Sequence, residues 1–330
     1  MLTRRTALMT AAFAPLARPA LAQSRAKVRF AGGGITVYGY MPFFVAQYQN
    51  LFAKHGIEAE IAQFPGGSRA MQAVLGGSSD VACGFYEHTV QMAAKGAKLL
   101  AFVLQTQNSG LVLGVREALA DKVKTAADLK GLKIGVSAPG SATHLFAMQA
   151  MVKAGIKGTD AAAIGVGTTQ TAMSAFERGD VDALCLFDPI IADLENRKLM
   201  KVLADARATE GTQRIYGGPY ASGTLYGEAG WVAKNEDSVR RCSAAIQEAV
   251  AFLKTATAEQ AIGAIGAGMC GVGMDTCTSA FTRNREAFAH DCRVSPEMAA
   301  TVKRALSSFD PAIAAATIDL DATHTDRYLS

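Results

Sequence analysis

Short apolar, β-rich runs alternate with helix-like stretches along almost the whole chain, and this alternation constrains the fold more than any other feature. Val28-Arg29-Phe30-Ala31 reads as a strand. Pro42 opens the helix that follows, at its first turn, where a missing N–H costs nothing; the helix runs through Phe43, Phe44, Ala46 and Leu51 to Lys54, and Gly56 stops it. Ile57 to Phe64 is the next strand, Gly67-Ser68 opens a helix that Gly76-Gly77 closes, and Asp80 to Phe85 is a third strand, followed by a helix from about Glu87 to Ala94. Strands alternating with helices of this length predict parallel sheets built by right-handed crossovers.

The device then recurs. Lys133 to Val136 is a strand, Gly140-Ser141-Ala142-Thr143 opens a helix reaching Lys153, and Ala163 to Val166 is a strand with a helix from Thr169 to Glu177 after it. Helix, glycine, Asp-Val and short apolar strand thus appear twice, at Gly76 to Phe85 and at Gly179 to Phe187. An echo of this length is a weak repeat alone, but its place in two consecutive α/β units predicts two similar lobes. Two apolar segments read as crossings between them, Leu99 to Val115 and Tyr220 to Val232. The expected division is residues 23–112 in the first lobe, 113–221 in the second and 222–330 returning to the first with C-terminal helices. Paired strands at the crossings would serve as a two-segment hinge, which lets lobes close without refolding.

The start of the chain sets the expected compartment. Arg4-Arg5, an apolar stretch from Ala7 to Leu16 and Ala20-Leu21-Ala22 follow the order of an export signal, so residues 1–22 are expected to be cleaved near Ala22. The arginine pair is compatible with either Tat or Sec export. Removing Arg4, Arg5 and Arg18 takes the formal charge from +4 to +1, which leaves no electrostatic footprint for nucleic acid. A periplasmic monomer is expected. Cys83 and Cys185 lie in strand-like runs and read as buried thiols, whereas Cys242, Cys270, Cys277 and Cys292 crowd the C-terminal region, where an oxidising compartment predicts one or two disulfides of undetermined pairing. Neither the Cys nor the His spacing supports a metal site, and no cofactor is expected.

Three motifs then carry a family resemblance. Asp128-Leu129-Lys130-Gly131-Leu132-Lys133-Ile134-Gly135-Val136 followed by Pro139-Gly140-Ser141 resembles a signature of nitrate/sulfonate/taurine-type ABC solute-binding proteins. So does Tyr40 to Ala46 leading to Leu51-Phe52-Ala53-Lys54-His55-Gly56-Ile57, and Gly179-Asp180-Val181-Asp182-Ala183 is the third marker. The likeness covers about residues 27–255. It implies an α/β chain with the type II periplasmic-binding fold, whose partners are a small-molecule ligand, a membrane permease and a cytoplasmic ATPase. The group also includes thiamine-pyrimidine-synthase-like proteins, so the family does not fix the ligand.

Open parallel sheets bind ligands beyond the carboxyl ends of their strands, and here those positions carry polar, glycine-rich turns. Gly67 and Ser68 follow the second strand, Ser137, Gly140, Ser141 and Thr143 follow Val136, and Thr168 and Thr169 follow Val166. Free N–H groups at helix starts favour an anionic group; ordinary N-capping by the hydroxyls is the competing role. Tyr38 and Tyr40 read as exposed rings on a glycine-rich loop, forming either an aromatic wall or a cover for neighbouring residues. Glu87 and Asp188 either cap their own helices or face the cleft, where they would prefer N–H donors, and His88 is a donor to an anion or a surface residue. A small organic anion, sulfonate or carboxylate, is the preferred ligand and a pyrimidine-like nitrogen heterocycle the alternative. An enzyme on the same fold is the competing class. Sulfinate desulfinases resemble this family but use a cleft cysteine, which the first loop here lacks. A periplasmic sensor for a membrane kinase would use the same pocket with another partner.

Overall fold

The computed structural model describes residues 25–34, 37–266 and 270–330; the expected export signal lies outside them. Among the described residues ten strands form two five-stranded sheets. In chain order they are β1 (Ala26–Gly32), β2 (Ile57–Gln63), β3 (Val81–Phe85), β4 (Leu99–Leu104), β5 (Leu111–Arg116), β6 (Lys133–Val136), β7 (Ala162–Gly165), β8 (Ala183–Phe187), β9 (Met200–Asp205) and β10 (Gly223–Glu228). The first sheet has the order β2-β1-β3-β10-β4 and the second β7-β6-β8-β5-β9. Each is the core of one α/β lobe, and this is the type II periplasmic-binding fold.

The sheets are mixed rather than purely parallel. β1 runs parallel to β2 and β3, and β6 to β7 and β8. β10 is antiparallel to β3 and β4, and β5 to β8 and β9. The exceptions have one cause. β5 and β10 are the first strands the chain forms after each crossing, so they enter the new sheet from the hinge side, against the direction of the βαβ units. The run from Leu99 to Val115 is therefore two strands, β4 in one sheet and β5 in the other. The return crossing differs from expectation. The chain leaves the second sheet at the end of β9, crosses through the helix Thr209–Tyr216 and enters the first sheet at Gly223. The apolar run after Tyr220 is consequently β10, four of whose apolar or small residues are walled in between β3 and β4.

Helix boundaries follow local chemistry. Pro42 sits in the first turn of the helix Met41–Tyr48, where it leaves no donor unpaired. Gly179 ends the helix Gln170–Arg178 at φ +82°, donating to the Ala175 and Phe176 carbonyls, a left-handed conformation that favours glycine. Phe30 on β1 meets Phe43 and Phe52 at ring separations of 5.5 and 4.9 Å, which seats the first helical segment on the sheet. Val112, Phe176, Leu184 and Ile191 pack into one apolar cluster of the second lobe, while Leu113, Val136 and Phe146 belong to a second. Of the C-terminal cysteines, Cys270 and Cys277 form a disulfide; Cys242 and Cys292 are buried thiols, as are Cys83 and Cys185 inside β3 and β8.

Candidate functional site

The carboxyl ends of the two parallel strand sets face each other across the seam between the lobes. Gly66 is the tightest point: a Cβ there would lie 2.7 Å from Ser141 Oγ and 2.8 Å from Ser137 Oγ of the opposite lobe. Beside it Ser141 Oγ accepts from the Ser68 backbone N–H at 3.0 Å and shares a hydrogen bond with Ser68 Oγ at 2.9 Å. Ser68 Oγ also reaches the Pro139 carbonyl at 3.0 Å. Ser141 thus bridges the lobes. Thr143 works locally, its Oγ1 accepting from Ser137 N at 3.0 Å and pairing with Ser137 Oγ at 2.9 Å. Gly140 turns at φ +80° and its N–H donates to His144 Nδ1.

Next to these contacts opens a cleft of about 550 Å³, walled by Gln63, Phe64, Pro65 and Arg69 on one lobe and by Ser137 to Pro139 and Gly165 to Thr169 on the other. Thr168 and Thr169 therefore line it. Three helices begin at this seam, Gly67–Leu75, Ala142–Lys153 and Gln170–Arg178, and none of their N-cap side chains accepts a hydrogen bond from its own first turn. Capping by the helix's own N-cap side chain is thus absent at all three, although Ser141 Oγ accepts from the Ser68 N–H in the first turn of Gly67–Leu75, and the positive ends of the helix dipoles face the seam. Arg69 is exposed on its wall, and its guanidinium donates to Gln72 Oε1 at 3.0 Å.

Tyr38 and Tyr40 are buried, not exposed, at 3% and 2% accessibility. The reason is closure of the lobes over their turn. The Tyr40 ring lies 5.6 Å from Phe85 and 6.4 Å from Phe187, and these two phenylalanines, one at the end of β3 and one at the end of β8, meet at 5.7 Å. Tyr38 donates its hydroxyl to the Cys277 carbonyl at 2.9 Å and its N–H to the Asp188 carbonyl. Asp188 has its carboxylate fully engaged. Oδ1 accepts from Ala192 N in the first turn of the helix Ile190–Asn196, and Oδ2 accepts from Asn284 Nδ2 at 2.7 Å and faces Arg207. Burial raises its pKa, with Arg207 and Asn284 opposing.

Glu87 and His88 behave differently. Both are buried. The Glu87 side chain does not cap its helix; Oε2 accepts from the Tyr220 hydroxyl and Oε1 has no partner. His88 Nδ1 lies 3.0 Å from the Tyr226 hydroxyl and Nε2 has no hydrogen bond of ordinary geometry. Burial pushes the Glu87 carboxyl up to about 7, Tyr220 opposing, and pushes the His88 imidazole down to about 4, the nearby Gly140 backbone opposing. At neutral pH the imidazole is uncharged. No cluster of His, Cys, Asp and Glu among the described residues is arranged to hold a metal.

With this geometry the sequence comparisons become informative. Residues 24–266 match the family described as NMT1-like. The chain belongs to the NMT1-like family. A protein of known structure from Bordetella bronchiseptica RB50 is 34% identical, with 92% of this chain and 96% of that one aligned at a TM-score of 0.89. A protein of Brucella abortus (strain 2308) named as a binding protein is 29% identical over 220 residues, 66% of this chain and 64% of that relative, so under two thirds of its length is matched. A protein of Escherichia coli (strain K12) named as an aliphatic sulfonates-binding protein is 28% identical over 187 residues, 56% of this chain and 58% of that one. The resemblance carried by the motifs is borne out. Sequence reasoning about this NMT1-like chain overlooked Arg69 and the tyrosines at 216, 220 and 226. Arg69 could have been found, since it lies one helical step beyond Gly67-Ser68. The tyrosines could not, because only the return crossing brings them to the end of β3.

Proposed function

We propose that the protein is the periplasmic solute-binding component of an ABC importer and captures a small organic anion between its two lobes. The observation that carries this reading is the interlobe cleft of ligand size, lined by Arg69 of one lobe and by Thr168 and Thr169, at the start of the helix Gln170–Arg178, of the other. A ligand touching both walls favours the closed arrangement by its differential affinity, and the closed surface then engages a permease that works with a cytoplasmic ATPase. Residues 23–112 and 222–330 would move as one lobe and 113–221 as the other, as a monomer, after removal of an N-terminal export signal. No helix among the described residues is long and apolar enough to cross a membrane.

Binding rather than catalysis is supported by the buried thiols. Burial raises the pKa of both Cys83 and Cys185, the opposite of what a nucleophile requires. The test is a thermal-shift series of sulfonates and carboxylates, because a ligand that binds only the folded state raises the melting temperature. At least one organic anion should raise it, and Arg69→Gln should weaken that ligand about tenfold by calorimetry, the loss of one charge-assisted contact. Undiminished binding by Arg69→Gln would refute the anion site. A nitrogen heterocycle is the second reading, favoured by the unpartnered Glu87 oxygen.

A further inference from the structure

On the first-lobe wall of the cleft, a polar residue stands where the pattern of its strand calls for an apolar one. Along β2 the inward positions are Ile57, Ala59, Ile61 and Gln63, alternating with the exposed Glu58, Glu60 and Ala62. Gln63 is the last of them, at the carboxyl end of an outer strand, and it lines the interlobe cleft. Opposite it in register on β1 is Gly32. A Cβ at Gly32 would fall 2.2 Å from Gln63 Oε1, 2.7 Å from Cδ and 2.9 Å from Nε2, so the amide lies in the slot left by the missing side chain. The backbone of Gly32 is not left-handed, and only the space this amide needs requires glycine there. Gly34, just beyond the strand, approaches the opposite wall: a Cβ on it would lie 3.2 Å from Thr168 Cγ2. The slot does not satisfy the amide, because Oε1 is enclosed and accepts no hydrogen bond. Native proteins pair buried polar atoms with few exceptions, and breaks with local pattern gather where function outweighs stability. An apolar side chain would serve the strand better at position 63, so the amide is kept for the cleft.

We infer that Gln63 is a specificity-determining residue, seated over Gly32 so that its amide N–H donates to an acceptor oxygen of the anion in the cleft. This inference rests on the anion-binding function proposed above and assigns a recognition role that Arg69 alone does not fill. Arg69 is exposed and supplies charge from a long stem, whereas the Gln63 amide is uncharged and its position is set by the register of two paired strands. A donor held on a strand discriminates by place, since an acceptor must reach it. The amide has a donor end and an acceptor end; with Oε1 enclosed against the protein, the nitrogen is the end left for the ligand. Gly32 is then a positioning residue. A side chain there would lift the amide off its seat and into the volume the ligand needs.

The test is calorimetry with ethanesulfonate, benzenesulfonate and benzoate, at least one of which should bind the native protein. Gln63→Met keeps the length of the side chain and removes the donor; it should weaken the tightest of these ligands about tenfold. Gln63→Glu keeps the shape and sets negative charge against the anion, and should weaken it about a hundredfold, a difference from Gln63→Met that a packing role would not produce. Gly32→Ala should cost about tenfold, while Gly32→Ala combined with Gln63→Ala should cost no more than Gln63→Ala alone, the non-additivity expected of residues in contact. Circular dichroism verifies that each variant is folded. Native-like binding by Gln63→Met would remove the donor, and losses that add in the double variant would remove the seat; either result overturns the inference and leaves the anion site standing. Failure of the native protein to bind any of the three would strike the anion-binding function itself and this inference with it.

Discussion

Glu87 and His88 show how burial moves neighbouring acids and bases in opposite directions, because enclosure disfavours whichever form is charged. The glutamate rises from 4.5 to about 7 and the histidine falls from 6.5 to about 4. For Glu87 the folded state holds a proton that the unfolded state has released between about pH 4.5 and 7, so its contribution to stability is full below that window and is lost as pH rises through it. For His88 the unfolded state holds the extra proton between about pH 4 and 6.5, so stability rises with pH across that window. Each amplitude is about 3 kcal/mol, and over most of the shared range they cancel. Between pH 4.5 and 6.5 the contributions of these two groups to the unfolding free energy should therefore nearly offset one another. His88→Asn should unmask the acid limb and lose stability toward pH 7, whereas Glu87→Gln should gain stability from pH 4 to 6.5. Flat profiles for both variants would show that neither group is enclosed in solution. The sequence singled out both residues from their place after a strand. It could not reveal that both would be fully enclosed, because their hydroxyl partners Tyr220 and Tyr226 come from a strand and a crossing more than a hundred residues later.

The repeated Asp-containing segment acquires a physical meaning at the level of elements. Asp80 donates its N–H to the Arg29 carbonyl at 2.8 Å and accepts from the Arg29 N–H at 2.9 Å, clipping the start of β3 to β1. In the second lobe Asp182 does the same to Lys133 on β6, with the same two distances. The structural counterpart of Asp80 is therefore Asp182, two residues beyond the Asp180 that the Asp-Val pattern suggests. Counting back from Phe85 and Phe187, which end the paired strands, gives the same register. A side chain placed to accept from a neighbouring backbone N–H fixes strand register before the sheet is complete, and a short strand has few other means to do so. Asp182→Ala should lower unfolding free energy by about 1.5–3 kcal/mol, the worth of a hydrogen bond to a charged group. Asp180→Ala should change it by under about 0.5 kcal/mol, because its partner Arg178 is a solvent-exposed neighbour. Equal losses in the two variants would sink the clip. The alternation of strands and helices was legible from periodicity alone. The antiparallel entry of β5 and β10 was not, since direction within a sheet depends on where the chain crosses and leaves no trace in local pattern. β9 was missed for a related reason: its partly exposed edge gives Met200-Lys201-Val202-Leu203-Ala204-Asp205 no clean alternation.

Across the whole molecule, the two sheets set their carboxyl ends so close together that one missing side chain decides whether they meet. Gly66 is extended, at φ −170° and ψ 167°, so any residue could adopt its backbone there and glycine is required only by the approach of Ser137 and Ser141. The C-terminal segment also ties the first lobe's helices to the second lobe. Gln49 holds the Ala264 carbonyl on one side, while Gln170 donates to the Gly271 carbonyl, Asn284 to Asp188 and Arg283 to Glu195 on the other. Neither these contacts nor the crossings involve position 66, so a side chain there should act on closure and not on folding. Gly66→Val supplies methyl groups where a single Cβ already falls inside contact distance of two hydroxyls. Unfolding free energy without ligand should stay within about 0.5 kcal/mol of the native value, as expected for a change that alters no core packing. The affinity for the tightest-binding sulfonate or carboxylate should fall at least tenfold, since a protein held from its binding-competent state loses apparent affinity in proportion to that state's population. Small-angle scattering should show the native protein contracting when that ligand is added and the variant failing to do so. A variant that contracts and binds like the native protein would mean that the lobes meet elsewhere, and that the Gly66 seam is not where the ligand is enclosed.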